Sequence, residues 1–198
     1  MLCHLKSDNP IKIEDKMNSN KKTELPAFIW RVASIHTIAY FIAGIFAVLF
    51  MNYREQFASE TMSAIMRPVD SPLVALGPGL QIFRGIIIAL VLFPFKDTLT
   101  SENGWIKLLF LILGLSYIST IGPTFGSFDG YIYTKVALQY HLLGIPETLI
   151  YIFLFSFFLI LWLRKPVRAW NIITAILVVL IVIMGVLGYL ASSGLITQ

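Results

Sequence analysis

Five long apolar stretches decide which solvent this chain folds in: Ile29–Met51, Ile82–Phe95, Trp105–Ile121, Glu147–Leu163 and Ala169–Ala191. A bilayer-crossing helix takes about 20 mostly apolar residues at about 1.5 Å each, and Ile29–Met51 alone would extend about 34 Å. Composition agrees. Hydrophobic residues make up 57% of the chain and mean hydropathy is +0.79, where a soluble domain has a little under half apolar residues. The expected fold is an all-α integral membrane protein of about five transmembrane helices. Its parts are a disordered cytoplasmic tail at 1–27, a single transmembrane domain at 28–192 and a short outer tail at 193–198. Met17 opens an alternative start, MNSNKKTELP, which would make 1–16 dispensable.

Basic residues outnumber acidic ones by 15 to 11, but their placement follows the span ends and not a nucleic-acid groove. Lys6, Lys12, Lys16, Lys21, Lys22, Arg31, Lys96, Lys107, Arg164, Lys165 and Arg168 fall on one side. Arg54, Arg67, Lys135 and Arg84 fall on or near the other. The positive-inside rule then puts the N-terminus in the cytoplasm and, with five spans, the C-terminus outside. The polar, mixed-charge start is neither a secretory signal nor an Arg-rich transit peptide, and a bacterial inner membrane is the expected location. Cys3 has no second cysteine to pair with and reads as an ordinary free thiol.

Both long connections, 52–77 and 122–145, lie on the predicted outer side, while the cytoplasmic ones are short. In YREQFASETMSAIM, residues Phe57, Ala58, Met62, Ile65 and Met66 recur at helical spacing. In YIYTKVALQYHLLG, Ile132, Val136, Tyr140 and Leu143 do the same. The pattern predicts one amphipathic helix over Tyr53–Met66 and another over Tyr131–Leu143. Two long structured loops suggest a cap over an outward-facing cavity; the plainer reading is two helices lying in the headgroup layer. Pro72 and Gly77-Pro78-Gly79 interrupt the second apolar region, so its regular helix is expected to begin near Pro78 or Gly79. The Phe-rich run Ile150–Leu163 is expected to face lipid.

Arg84 is the leading functional candidate. A charge inside a span costs about 2.5–3.5 kcal/mol on insertion scales and usually faces protein or water. A start at Gly79 would put Arg84 only about 8 Å below the helix end, where it could also snorkel. Its expected partner is Glu147 or Asp129, although Glu147 after Pro146 also suits a helix dipole. His36 reads as a hydrogen-bonded packing residue. Neither it nor His141 has a second ligand at i+3 or i+4, so no metal site and no cofactor are expected. There is no G-x-S-x-G, H-E-x-x-H, C-x-x-C or phosphate loop.

The sequence therefore supports an outer vestibule of Arg84, Gln81, Tyr117, Asp129, His141 and Glu147 that binds or passes a small anionic or amphiphilic ligand. One alternative is an outer-leaflet enzyme acting on a lipid or isoprenoid head group through His141, Asp129 and Glu147. Another is an accessory subunit of a larger membrane complex. Membrane lipid, an anionic small molecule and either a second copy or a complex subunit are the expected partners, and nucleic acid is not. The small residues Ala33, Ala43, Gly44 and Ala47, together with Gly185-x-x-Gly188, are available for close helix contacts.

Overall fold

The computed structural model describes residues 10–195, with side chains from Glu24 onward. Ten α-helices carry the described chain: α1 (Pro10–Phe50), α2 (Tyr53–Ala58), α3 (Glu60–Ser63), α4 (Pro72–Leu92), α5 (Lys96–Thr100), α6 (Gly104–Ile112), α7 (Phe128–Tyr133), α8 (Leu138–Leu143), α9 (Ile145–Arg164) and α10 (Arg168–Ser192). A 3₁₀ turn, Phe93–Phe95, joins α4 to α5, and a π-helical segment, Leu113–Ile118, extends α6. No strand occurs among the described residues. That suits lipid, where each backbone N–H and C=O must find its partner within its own segment. Four stretches are long and apolar enough to cross a membrane: Glu24–Phe50, Pro72–Thr100, Leu138–Arg164 and Arg168–Ser192. Of the tail expected to be disordered, residues 1–9 lie outside the described residues, and α1 is described from Pro10.

Helix α1 is the axis of the bundle. It packs on α4, α9 and α10, while α10 also lies along α4 and α6 lies along α9. Hydrophobicity gives no preference between two apolar surfaces in lipid, so close contact has to come from shape. Small residues supply it. A Cβ added to Gly85 would lie 2.6 Å from the Cα of Ala33, so the α1 and α4 backbones nearly touch there. At the α4–α10 crossing, Gly79 faces Val182 and Gly185 faces the carbonyls of Ala75 and Leu76. Ala33, Ala39, Ala43 and Ala47 are all buried along α1.

Three local expectations are corrected. Helix α4 begins at Pro72 with Ser71 as its N-cap and runs through Pro78, well before the predicted start. Pro72 occupies the first turn, where its missing N–H leaves nothing unpaired, and a proline inside a membrane helix is accommodated by its neighbours. The outer helix expected over Tyr53–Met66 is two short ones that break at Ser59, which is extended with ψ 152°. The one expected over Tyr131–Leu143 is replaced by α7 and α8, separated by the extended residues Thr134 and Ala137. Amphipathic spacing does not register such breaks, since the apolar stripe resumes in phase on the far side.

Helix α9 departs from expectation in part, because one face belongs to the core while Phe153 and Phe157 on the other are exposed. Ile152, Phe155, Ser156, Leu159, Ile160, Trp162 and Leu163 are buried, and Phe155, Leu159 and Trp162 are fully so. Hydropathy cannot distinguish a lipid neighbour from a protein neighbour. At the same end of the bundle, Phe28 meets Phe93 edge-on with ring centroids 5.5 Å apart. The Arg31 guanidinium carbon lies 5.9 Å from the centre of the Trp162 ring, a distance suited to a cation–π contact. Lys96 pairs with Glu24, and Arg164 donates to the Ser101 carbonyl. These contacts tie the Lys96 end of the bundle together.

Candidate functional site

The chemistry gathers at the opposite end. Because α4 starts at Pro72, Arg84 sits about 18 Å along it, near the middle of the helix, and is exposed at the open side of the bundle. The ion pairs among the described residues are Arg54–Asp70 and Lys96–Glu24, and Arg84 belongs to neither. It lines a chamber of about 200 Å³ together with Glu147, Tyr40, Tyr117 and Tyr151, with Ser116 and Thr148 completing the polar wall. One cation and one carboxylate thus face one small space without closing on each other.

Each wall residue is placed by its own element. Glu147 follows Pro146 in the first turn of α9, and Tyr151 lies one turn further on the same face. The π-helical segment carries Ser116 and Tyr117, with the Ser119 N–H reaching back five residues to Gly114 at 2.8 Å. A π turn of this kind is rare and recurs at functional sites. Gly126, at φ +79°, passes so close to the Tyr117 ring that a Cβ there would sit 2.3 Å from the phenol oxygen. Only a glycine meets both demands.

His36 stands behind the chamber, fully buried on α1. Its Nε2 lies 3.3 Å from Gln81 Oε1 and its Nδ1 lies 2.7 Å from the Tyr151 hydroxyl. Gln81 Oε1 can only accept, so Nε2 carries the proton and Nδ1 accepts from Tyr151. The Tyr151 oxygen, having given its hydrogen to His36, is left with acceptor capacity alone. His36 is thus a hydrogen-bonded packing residue that fixes the polarity of a chamber residue. Glu147 is held from the other side, where the Tyr53 hydroxyl of α2 donates to its Oε2 at 2.5 Å. Burial first, and then that hydrogen bond, raise the Tyr53 phenol above its ordinary pKa, so it stays a donor.

A second, larger cavity of about 670 Å³ lies between α1 and α4 and meets the chamber at Tyr40 and Glu147. Gly44, Ala47, Val74, Gly77 and Pro78 line it, and Tyr53 and Phe57 of α2 close one side. Its size falls within the ~300–1,000 Å³ of ligand pockets, and the chamber alone falls below that range.

Of the residues expected at the site, Arg84, Tyr117 and Glu147 line the chamber, and Gln81 reaches it through His36 and Tyr151. Asp129 and His141 line neither cavity. Asp129 accepts from the Gly122 N–H at 3.4 Å, and buried His141 accepts from the Gly126 N–H at 3.3 Å. Both shape the loop that carries α7. Tyr40, Ser116, Thr148 and Tyr151 were missed as site residues. The signals for two of them were present: Tyr40 lies four residues from His36, and Tyr151 four from Glu147. Among the described residues, no three His, Cys, Asp or Glu side chains gather as a metal site would require. No family model, curated protein or solved structure matches the chain.

Proposed function

We propose that the protein is a five-span membrane module whose outward-facing vestibule binds or passes a small anionic or amphiphilic ligand at Arg84. One observation carries this reading: a guanidinium near the middle of a spanning helix, outside every ion pair among the described residues, facing a polar chamber that adjoins an apolar cavity. A charge held so deep needs a counter-group, and the planar fork of arginine suits a carboxylate or phosphate. The fifth span in this reading is the shorter apolar stretch of 15 residues, Gly104–Ile118, formed by α6 and its π-helical extension. The reading as an enzyme through His141, Asp129 and Glu147 has less support, since only Glu147 faces the chamber and the other two are engaged in loop hydrogen bonds away from it. Dodecyl phosphate added to the purified protein in neutral detergent should raise its melting temperature. Arg84→Met should abolish that shift, and Arg84→Lys should retain only part of it. An undiminished shift in Arg84→Met rejects the site.

The orientation belongs to the same proposal. The basic residues place the N-terminus in the cytoplasm. In a Cys3→Ser background, cysteines at Ser63, Ser127 and Ser193 should react with a membrane-impermeant thiol reagent from outside, and one at Glu102 should not. Glu102 is preferable to its neighbour Asn103, whose φ of +57° disfavours most side chains. Labelling of Glu102→Cys alone would invert the assignment.

A further inference from the structure

The chamber poses a charge problem that a simple anion does not solve. An anion seated on Arg84 would also face the Glu147 carboxylate across about 200 Å³, and like charges in so confined a space repel. The rest of the wall is rich in acceptors. Glu147 spends one oxygen on Tyr53 and keeps the other, and Tyr151 gives its only hydrogen to His36. The chamber thus offers one strong cationic donor in Arg84, two groups left to accept in Glu147 and Tyr151, and the hydroxyls of Tyr40, Ser116, Tyr117 and Thr148, which can do either. A group matching it carries negative charge at one end and a hydrogen-bond-donating positive charge at the other.

The adjoining cavity adds a second requirement. It is apolar along α1 and α4 and touches the chamber at Tyr40 and Glu147. At its edge stand Ile45, Val48, Leu49 and Val74, all exposed on the outside of the bundle. With α1 and α4 read as spanning helices, these residues would meet lipid and the cavity would open sideways into the bilayer. A chain entering there leaves its head at Glu147 and Arg84.

We infer that the site takes a phospholipid whose headgroup carries both phosphate and ammonium, with the phosphate on Arg84, the ammonium on Glu147 and Tyr151, and one acyl chain in the cavity between α1 and α4. This rests on the reading of Arg84 as a ligand-binding cation and names the ligand class. Binding is reversible recognition, with no covalent step.

The test uses the purified full chain in neutral detergent, with binding measured by native mass spectrometry and by thermal shift. Lysophosphatidylethanolamine and lysophosphatidylglycerol of the same chain length are the lipid probes, and glycerophosphoethanolamine is the water-soluble headgroup control. A hydrogen bond to a charged group contributes about a ten- to hundredfold change in affinity. The ethanolamine lipid should therefore bind at least about tenfold more tightly than the glycerol lipid. Glu147→Gln, which can still accept from Tyr53, should erase that preference by weakening the ethanolamine lipid alone. Gly44→Leu should remove both lipids while leaving the fold intact, because Gly44 lines the cavity and a Cβ there meets nothing within 4 Å. Tight binding of the chainless control would place the ligand in the aqueous phase and overturn the lipid assignment. Equal affinity for the two lipids, or stronger binding in Glu147→Gln, would overturn the zwitterion while leaving Arg84 as an anion site. Binding of both probes unaffected by Arg84→Met would remove the zwitterion and the anion site together.

Discussion

The Lys96 end and the Tyr53 end of this bundle are built on opposite plans. At the Lys96 end, Phe28, Val32, Ala89, Leu108, Leu159 and Trp162 are buried in one apolar cluster. At the Tyr53 end, the same helices α1, α4 and α9 enclose two cavities and present Arg84, Glu147, Tyr40 and Tyr151 to them, with Tyr53 and Tyr117 added from neighbouring segments. The two plans meet in mid-helix, where Gly85 of the tight crossing adjoins Arg84 and Phe155 of the cluster stacks on Tyr151. The difference teaches that the open end need not hold the bundle together. It can keep voids and uncompensated charge because the closed end and the small-residue crossings fix the helices.

Substitutions sharpen this contrast. The largest expected effect is at the closed end, where Phe155→Ala empties a fully buried site on α9 and should cost about 3–5 kcal/mol in detergent unfolding. A loss below about 1 kcal/mol would mean that the cluster does not carry the fold. Next is Gly85→Ala, whose new Cβ must displace the α1 backbone at Ala33 and should cost about 1–3 kcal/mol. Tyr53→Phe removes the hydroxyl that donates to Glu147 and should cost about 1.5–3 kcal/mol, with increased protease access to α2 and α3. If it leaves both stability and cleavage unchanged, α2 is not tethered through that bond. Smallest is Ala137→Pro. A helix interior would lose about 3 kcal/mol, but Ala137 is the N-cap of α8 at φ −64°, which proline matches. A change within about 1 kcal/mol is expected, and a large loss would restore a continuous helix over Tyr131–Leu143.

How much of this was legible in the sequence depends on the range of the interaction. The apolar stretches were legible because span length and hydropathy are local properties. The close approach of Gly85 to Ala33 was only half legible, since small residues mark a surface without naming its partner. The start of α4 was misread because Gly77-Pro78-Gly79 is a strong local breaker, and only packing against α1 and α10 carries the helix through it. Arg84 and Glu147 stood out as charges in apolar surroundings, whereas Tyr40 and Tyr151 were hidden among aromatics that could equally face lipid. Asp129 and His141 were grouped with them from a shared membrane level. Level says nothing about azimuth, and the loop turned both toward its own backbone.

The crossing of α1 and α4 at Ala33 and Gly85 has a mechanical consequence. The two helices pack together along the Lys96 end and part around the cavity at the Tyr53 end, so this closest approach of their backbones acts as the pin of a pair of scissors. From Gly85 to Gly77, at the cavity wall, the lever arm is about 12 Å, so a tilt of about 5° moves the α4 tip by about 1 Å. Adding a methyl group at the pin would change the angle of the blades as well as the strength of the joint.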